Sequence, residues 1–405
     1  QHSTETALLC VKTDLLRAMD ENHAIAVVLL DLSAAFDTVD HLILLDRLSS
    51  MFGIRGKALT WIRSYLQNRS FRVRVGDSES IPHDLKCGVP QGSVVGPLFF
   101  TLYTADIGAI IRRHNINYHI YADDVQLYSS FDPKIPGDAV CAVFRLTSCI
   151  NEISDWMTRN KLKLNHDKTE FFVGSSDYNN RRYPYINDIH IAIGDSLIKP
   201  SAKIKNLGVV FDKTLSMRDH VKSTIKTVNF HLRNIYRIRR FITVNSCHHL
   251  VRSLVLSRLD YANSLLYGIS AKDRSKLQTL QNRAARIVFK CNRMEPSAPL
   301  LRKLHWLPVE SRTIFKLMLI TFKCVHGLQP SYLSDFLSQY IQNRPNLRSG
   351  DKFLLTEPRT KLIAGEKAFY AAAPRLWNSL PTSLRQCSTT DKFKKALKFH
   401  LFPQL

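Results

Sequence analysis

No apolar run in this chain approaches the ~20 residues a helix needs to cross a bilayer, so no membrane span and no membrane partner is expected. Nor do the eight cysteines (Cys10, Cys87, Cys141, Cys149, Cys247, Cys291, Cys324 and Cys387) contain a C-x-x-C pair or a Cys/His spacing of the zinc-binding kind. With no signal peptide visible, they read as reduced thiols, mostly in the core of an intracellular protein. Internal repeats and low-complexity tracts are missing as well, which removes solenoid architectures. Acidic residues are few against basic ones: 57 Lys/Arg face 34 Asp/Glu, a formal net charge of +23. Such an excess points to a polyanionic partner.

The imbalance is local. Residues 1–130 hold 12 Lys/Arg against 14 Asp/Glu, whereas residues 201–300 hold 19 against 5. A near-neutral unit is therefore followed by a strongly basic one. A length of 405 residues suggests two or three packing units, and a hydrophobic content of 45% suffices for a sizeable core.

Periodicity places the elements. Residues 5–20 pattern as a helix, and Ala24 to Leu32, "AIAVVLLDL", as a strand buried on both faces. Helices follow at 40–50 and 61–66. "FRVRV" at 71–75 alternates as a strand. Pro97 is placed to open a helix running to about Arg113. Residues 117–130 form a hairpin bent around Ala122-Asp123-Asp124, a helix spans 138–160, and a strand spans 169–173. "SAKIKNLGVVFD" at 201–212 reads as a strand pair turning at Gly208. From Ser216 onward the pattern is helical, with a break near residues 292–299. The class is α+β with an α-rich C-terminal half.

In the basic region, Ile225, Val228, Leu232 and Ile235 recur at helical spacing, and Lys222, Lys226, Arg233, Arg237 and Arg240 form a separate stripe. Lys276, Arg283, Arg286 and Lys290 make a second stripe. Such helices pack one face on a core and follow a phosphate backbone with the other. Solvated charge faces are the plainer alternative.

The sharpest feature is "YHIYADDVQLY" at 118–128. Adjacent aspartates are ordinary in a turn. Here apolar flanks enclose them, and a second apolar run ends in Asp31. If that strand neighbours the hairpin, Asp31, Asp123 and Asp124 converge, and like charges in low dielectric need a cation. Mg2+ prefers carboxylates, water and phosphates. Two such ions, ~4 Å apart, can serve an attacking 3′-hydroxyl and a leaving pyrophosphate.

"VVLLDLSAAFDTVDH", "GVPQGSVVGPLFF", "YADD", "LKLNHDKTEFF" and "KNLGVVFD" stand in the order and approximate spacing of the palm motifs of reverse transcriptases. The chain most resembles those of LINE-type, non-LTR retrotransposons of the jockey and chicken-repeat groups. "LHWLPVESRTIFKLMLITFKCVHGLQPSYLSDFL" and "AAAPRLWNSLP" are similar to their C-terminal part.

The resemblance implies a right-hand polymerase: an antiparallel palm sheet with flanking helices and partial fingers over 1–212, a helical thumb over 213–292, and a helical C-terminal region over 293–405. It implies an RNA-directed DNA polymerase that extends a DNA primer or target with dNTPs on an RNA template. The cofactor would be two Mg2+ ions, with Mn2+ able to substitute. Asp31 and Asp123 would bind both metals, with Asp124 adjacent. Phe36 would lie under the incoming sugar as a gate against a 2′-hydroxyl, and Gln91 and Gly92 would border the nascent base pair. Lys168 would lie near the triphosphate. Leu207 and Gly208 would form the primer grip. The expected place of work is the nucleus.

Two other readings stay open: a non-catalytic nucleic-acid-binding remnant of such an element, and an RNA-templated RNA polymerase, against which Phe36 argues. The chain starts at "QHSTETALL", resembling the helix just before the Asp31 strand. Fingers segments with a triphosphate clamp, and an N-terminal endonuclease, are therefore expected outside it.

Overall fold

The computed structural model describes residues 2–33, 36–90, 92–194, 196–339 and 353–402. Contacts divide the chain into two compact units: residues 24–173 with 178–201, and residues 1–23 with 174–177 and 202–405. Helix α1 (Thr4–Asp20) therefore belongs with the C-terminal helices rather than with the strand that follows it.

The first unit is built on a four-stranded sheet. Strand β1 (Ala24–Leu30) is buried along almost its whole length, as its unbroken apolar run requires. Helix α2 (His41–Ser50) follows, N-capped by the Asp40 side chain, which accepts from the amides of Leu42 and Ile43. Helix α3 (Gly96–Tyr103) carries Pro97 in its first turn. The expected single helix to Arg113 breaks at 104–106 and resumes as helix α4 (Ile107–Arg113). Strands β2 (Asn117–Tyr121) and β3 (Asp124–Phe131) form the hairpin, helix α5 (Pro136–Arg159) packs on the sheet, and β4 (Glu170–Gly174) completes it. The sheet order is β4-β1-β3-β2. β1 and β3 run antiparallel, Ala24 opposite Phe131 and Leu30 opposite Val125.

"FRVRV" does not form one strand. Ser70–Phe71 and Arg74–Val75 pair with different partners, His83–Asp84 and Ser78–Glu79. Phe71, Val73 and Val75 are all exposed, so the alternation meets no core that would hold one straight strand.

A buried arginine that periodicity does not reveal holds this unit's helices together. Arg47, on α2, donates to the carbonyl of Tyr103 at the end of α3 and to Asn160 Oδ1 at 2.7 Å after α5. It also pairs with Asp106 at 3.3 Å and lies 5.2 Å from the ring centroids of both Tyr103 and Trp156. Tyr103, itself fully buried, donates to the Asn160 carbonyl at 2.5 Å.

In the second unit, strands β5 (Lys203–Asn206) and β6 (Val209–Asp212) form a hairpin, followed by the basic helices α6 (Arg218–Ile238) and α7 (Ala271–Phe289). α1 is buried on nearly every side, so its polar residues need partners. Glu5 accepts from Ser264 (amide 3.1 Å, Oγ 2.7 Å) and pairs with Lys316 at 3.0 Å. Asp20 accepts from the amides of Lys361 and Leu362 at 2.9 and 2.6 Å. Gly365 sits so close to it that a Cβ would fall 2.4 Å from Asp20 Cγ. Near the C-terminus, Trp377, Phe322 and Phe393 are fully buried and in mutual ring contact.

Four cysteines (Cys10, Cys149, Cys247 and Cys324) are buried; Cys87 and Cys141 are exposed, and Cys291 and Cys387 half-buried, so the expectation of mostly core thiols holds for half of them. Among the described residues no helix is long and apolar enough to cross a membrane.

Removing the Arg47 guanidinium leaves the Tyr103 carbonyl and Asn160 Oδ1 without their donor. Arg47→Met should cost about 3 kcal/mol, read as a lower denaturation midpoint by circular dichroism. A loss under about 1 kcal/mol would mean that the arginine is effectively solvated.

Candidate active site and nucleic-acid interface

β1 ends at Leu30, paired with Val125. One further step along the same register sets Asp31 against Asp124. The β2–β3 loop is the residue pair 122–123, since Tyr121 and Asp124 are the last paired residues. Such a tight hairpin needs a left-handed residue at its first loop position, usually glycine. Ala122 takes that place at φ 54°, at a cost of roughly 1 kcal/mol. Both aspartates are thereby turned to the same end of the sheet as Asp31.

The carboxylates feel one another. Asp124 is exposed, yet its carboxyl is held above the usual range, first by lost hydration, then by the charges of Asp123 and Asp31. Lys168 sits in a short 3-10 turn, His166–Lys168, and its ammonium lies 3.5 Å from Asp31 Oδ2. The Asn165 amide donates to the Asp31 carbonyl at 2.9 Å, tying the two segments. Asp31 Oδ2 is otherwise buried with no hydrogen bond.

These are the hard oxygen donors that a divalent cation takes, and Asp31 Oδ2 has no hydrogen bond that would compete with one. They are not gathered, however. Among the described residues no three His, Cys, Asp or Glu side chains come together closely enough to hold a metal ion. Asp31 is met instead by the Lys168 ammonium.

The "AAFDTVDH" and "CGVPQG" loops are laced together. The Val89 amide donates to the Phe36 carbonyl at 2.8 Å, and the Gly88 amide to the Val39 carbonyl at 2.7 Å. His41 Nε2 lies 2.8 Å from the Gly88 carbonyl. At Gly88 (φ 87°) a Cβ would fall 2.8 Å from the Asp37 carbonyl oxygen, so only glycine fits. Phe36 is half-buried, its ring 4.9 Å from that of Phe100. Gly92 stands at φ 78° in open space, so its conformation, not crowding, asks for glycine. Gln91 lies outside the described residues.

In the second unit, Leu207 (φ 42°) and Gly208 (φ 82°) make the β5–β6 turn. Tyr261 donates to the Leu207 carbonyl at 2.6 Å, and its ring would touch a Cβ on Gly208 at 3.4 Å. Tyr261, far away in sequence, carries no motif that would have singled it out.

Residues 2–211, just over half of the chain, match the family model "Reverse transcriptase (RNA-dependent DNA polymerase)". The chain belongs to the reverse transcriptase family. It is 29% identical over 330 residues to the probable RNA-directed DNA polymerase from transposon BS of Drosophila melanogaster, covering 77% of this chain and 34% of that protein. It is 25% identical over 296 residues to the RNA-directed DNA polymerase from the mobile element jockey of Drosophila funebris, covering 71% and 31%. A retrovirus-related Pol polyprotein from type-1 retrotransposable element R1 of Nasonia vitripennis is 21% identical over 250 residues, covering 59% and 69%. The kinship is with reverse transcriptases of non-LTR retrotransposons, as the motifs imply. The chain spans about a third of the length of the BS and jockey relatives.

In this reverse transcriptase chain the basic stripes lie on α6 and α7, which pack on each other. Lys222, Lys226, Arg233, Arg237 and Arg240 are exposed, as are Lys276, Arg283 and Lys290; Arg286 is half-buried. Lys222 pairs with Asp219 at 3.1 Å and Lys276 with Asp273 at 3.0 Å, so these two are partly spent on local pairs. Arg283 donates to Asn229 Oδ1 at 3.2 Å, and Arg286 to the Glu295 carbonyl at 2.8 Å.

Asp124 makes stability depend on pH. Its folded pKa is raised, so its ionisation destabilises the fold above that pKa and the penalty vanishes below the unfolded value. Asp124→Asn should raise the unfolding temperature near neutrality, with the gain closing by about pH 3. Equal midpoints near neutrality would show that neither lost hydration nor the neighbouring charges burden Asp124 in the fold.

Proposed function

We propose that this chain is a nucleic-acid-binding palm-and-thumb piece of a non-LTR retrotransposon reverse transcriptase, with polymerisation impaired in the chain by itself. The observation that carries this reading is the state of the carboxylate site. Among the described residues its three aspartates do not form a metal-holding cluster, and Asp31 faces the Lys168 ammonium at 3.5 Å. The basic faces of α6 and α7 retain exposed cations, among them Lys222, Lys226, Arg233, Arg237 and Arg240 on α6 and its end. Its partners on this reading are RNA template and DNA primer or target, in the nucleus where the element would integrate.

A second reading, an RNA-directed DNA polymerase, is favoured by the end of the β1–β3 ladder at Leu30 and Val125, which leaves Asp31 and Asp124 as the next residue of each strand. On it, Asp31, Asp123 and Asp124 would hold Mg2+, or Mn2+ in its place. Bound there, the metal would favour ionisation of the primer 3′-hydroxyl and offset charge on the leaving pyrophosphate. Phe36 would exclude the 2′-hydroxyl of a ribonucleotide, and Lys168, released from Asp31, would be free to meet the triphosphate.

Primer extension on an RNA template with Mg2+ or Mn2+ separates the two. The chain should bind the template–primer yet make no product above its Asp123→Asn variant. Clear extension that Asp123→Asn abolishes would overturn the impaired reading in favour of the polymerase. In that event Phe36→Val should raise ribonucleotide use.

Salt dependence of binding tests the basic faces. Neutralising Arg233, Arg237 and Arg240 to Gln should flatten the salt slope by up to about three phosphate contacts. An unchanged slope would make them solvated charge.

A further inference from the structure

A groove of about 1110 Å³ opens between the C-terminal ends of α6 and α7, wholly within the second unit. Arg237 and Arg240 line one side, Arg283, Arg286 and Lys290 the other, and Arg293 lies just beyond. No acidic side chain lines it among the described residues. Arg237, Arg240, Lys290 and Arg293 are paired to no carboxylate among the described residues. Arg239 is buried and differs from the rest. It donates to the carbonyls of Ile287 and Val288 at the end of α7, and of Ile242, each at 2.7 Å. It thereby bolts the two helix ends together and fixes the groove's width.

Cations alone would suit any phosphate chain. The aromatic residues narrow the choice. Tyr236 lines the groove and is 67% exposed. Phe241, in the 3-10 turn that follows α6 and beside the groove rather than in its lining, is 74% exposed, with the Arg240 guanidinium 4.6 Å from its ring centroid. Phe230 interrupts the cationic stripe of α6 one turn before Arg233 and is 60% exposed. Large rings held in water beside unpaired arginines bring no benefit to a duplex, whose bases are already stacked. Unpaired bases stack on such rings at about 1–3 kcal/mol each, and the neighbouring arginines hold their phosphates.

We propose that this groove and the surface beside it bind single-stranded nucleic acid, with one base stacked on Tyr236 in the groove, another on Phe241 next to Arg240, and the backbone phosphates on Arg237, Arg240, Arg283 and Arg293. The inference rests on the nucleic-acid-binding reading above and adds which form of nucleic acid this surface takes. It concerns a strand outside any duplex, a task distinct from gripping a template–primer.

Fluorescence anisotropy tests it with two probes, a fluorescein-labelled oligouridylate and an RNA–DNA heteroduplex of equal length. Tyr236→Ala and Phe241→Ala should each weaken oligouridylate binding about tenfold, with heteroduplex binding held within about twofold. Both side chains are exposed, so an unchanged circular dichroism melt should accompany each variant. Arg283→Gln with Arg293→Gln should lower the salt slope for oligouridylate. Equal losses on both probes, or no loss on either, would overturn the single-strand assignment while leaving nucleic-acid binding intact. If the unaltered chain binds neither probe, the underlying reading falls with it. Capture by phosphatidylserine vesicles in place of oligouridylate, lost in the same variants, would also overturn it and make the surface a lipid contact.

Discussion

The antiparallel pairing of β1 with β3 is the constraint on which the candidate active site depends. Leu30 opposite Val125 leaves no freedom in where Asp31 falls. A slip of one residue would exchange the two faces of each strand. β1 is apolar on both faces, so the slip is opposed by the close packing of differently sized side chains on both sides of the sheet rather than by exposure to water. The core thus positions three carboxylates that, by themselves, repel. Asp124's carboxyl is held above the usual range first by lost hydration and then by the charges of Asp123 and Asp31.

Lys168 is the local answer to the repulsion. An ammonium 3.5 Å from Asp31 Oδ2 offsets one of the three negative charges, and it does so from an exposed side chain that can leave at little cost. A weak ion pair at this position therefore keeps the fold tolerable and leaves the site open to competition.

What could be read in advance follows from the range of the forces involved. β1, the β2–β3 hairpin and the Leu207-Gly208 turn depend on local pattern, and the sequence carries that pattern in apolar runs and turn residues. The stripe on α6 was equally legible, because helical spacing is local. Arg47 was not, since a buried arginine looks like a surface one until Tyr103, Asn160 and Asp106 gather round it. Tyr261 was hidden for the same reason, 54 residues from the carbonyl it holds. "FRVRV" misled in the opposite direction: its alternation is real, but no core lies beneath it. The placement of α1 with the C-terminal helices likewise rests on Glu5, Thr13 and Asp20 finding partners more than 200 residues away.

The aromatic residues of α6 carry a further lesson about charge. A net positive stripe is compatible with any polyanion, and its reading as a duplex grip comes from family resemblance rather than from the stripe. Phe230, Tyr236 and Phe241 break that degeneracy, because exposing three large rings lowers solubility and stability unless something covers them. Arg239, buried at the base of the groove and spent on backbone carbonyls, shows that the helix ends are held rigidly rather than left to adapt. A groove of fixed width with Tyr236 in its lining discriminates by shape and stacking, whereas cations discriminate by charge alone. Specificity for an unpaired strand would then reside in the rings, and affinity and its salt dependence in the arginines.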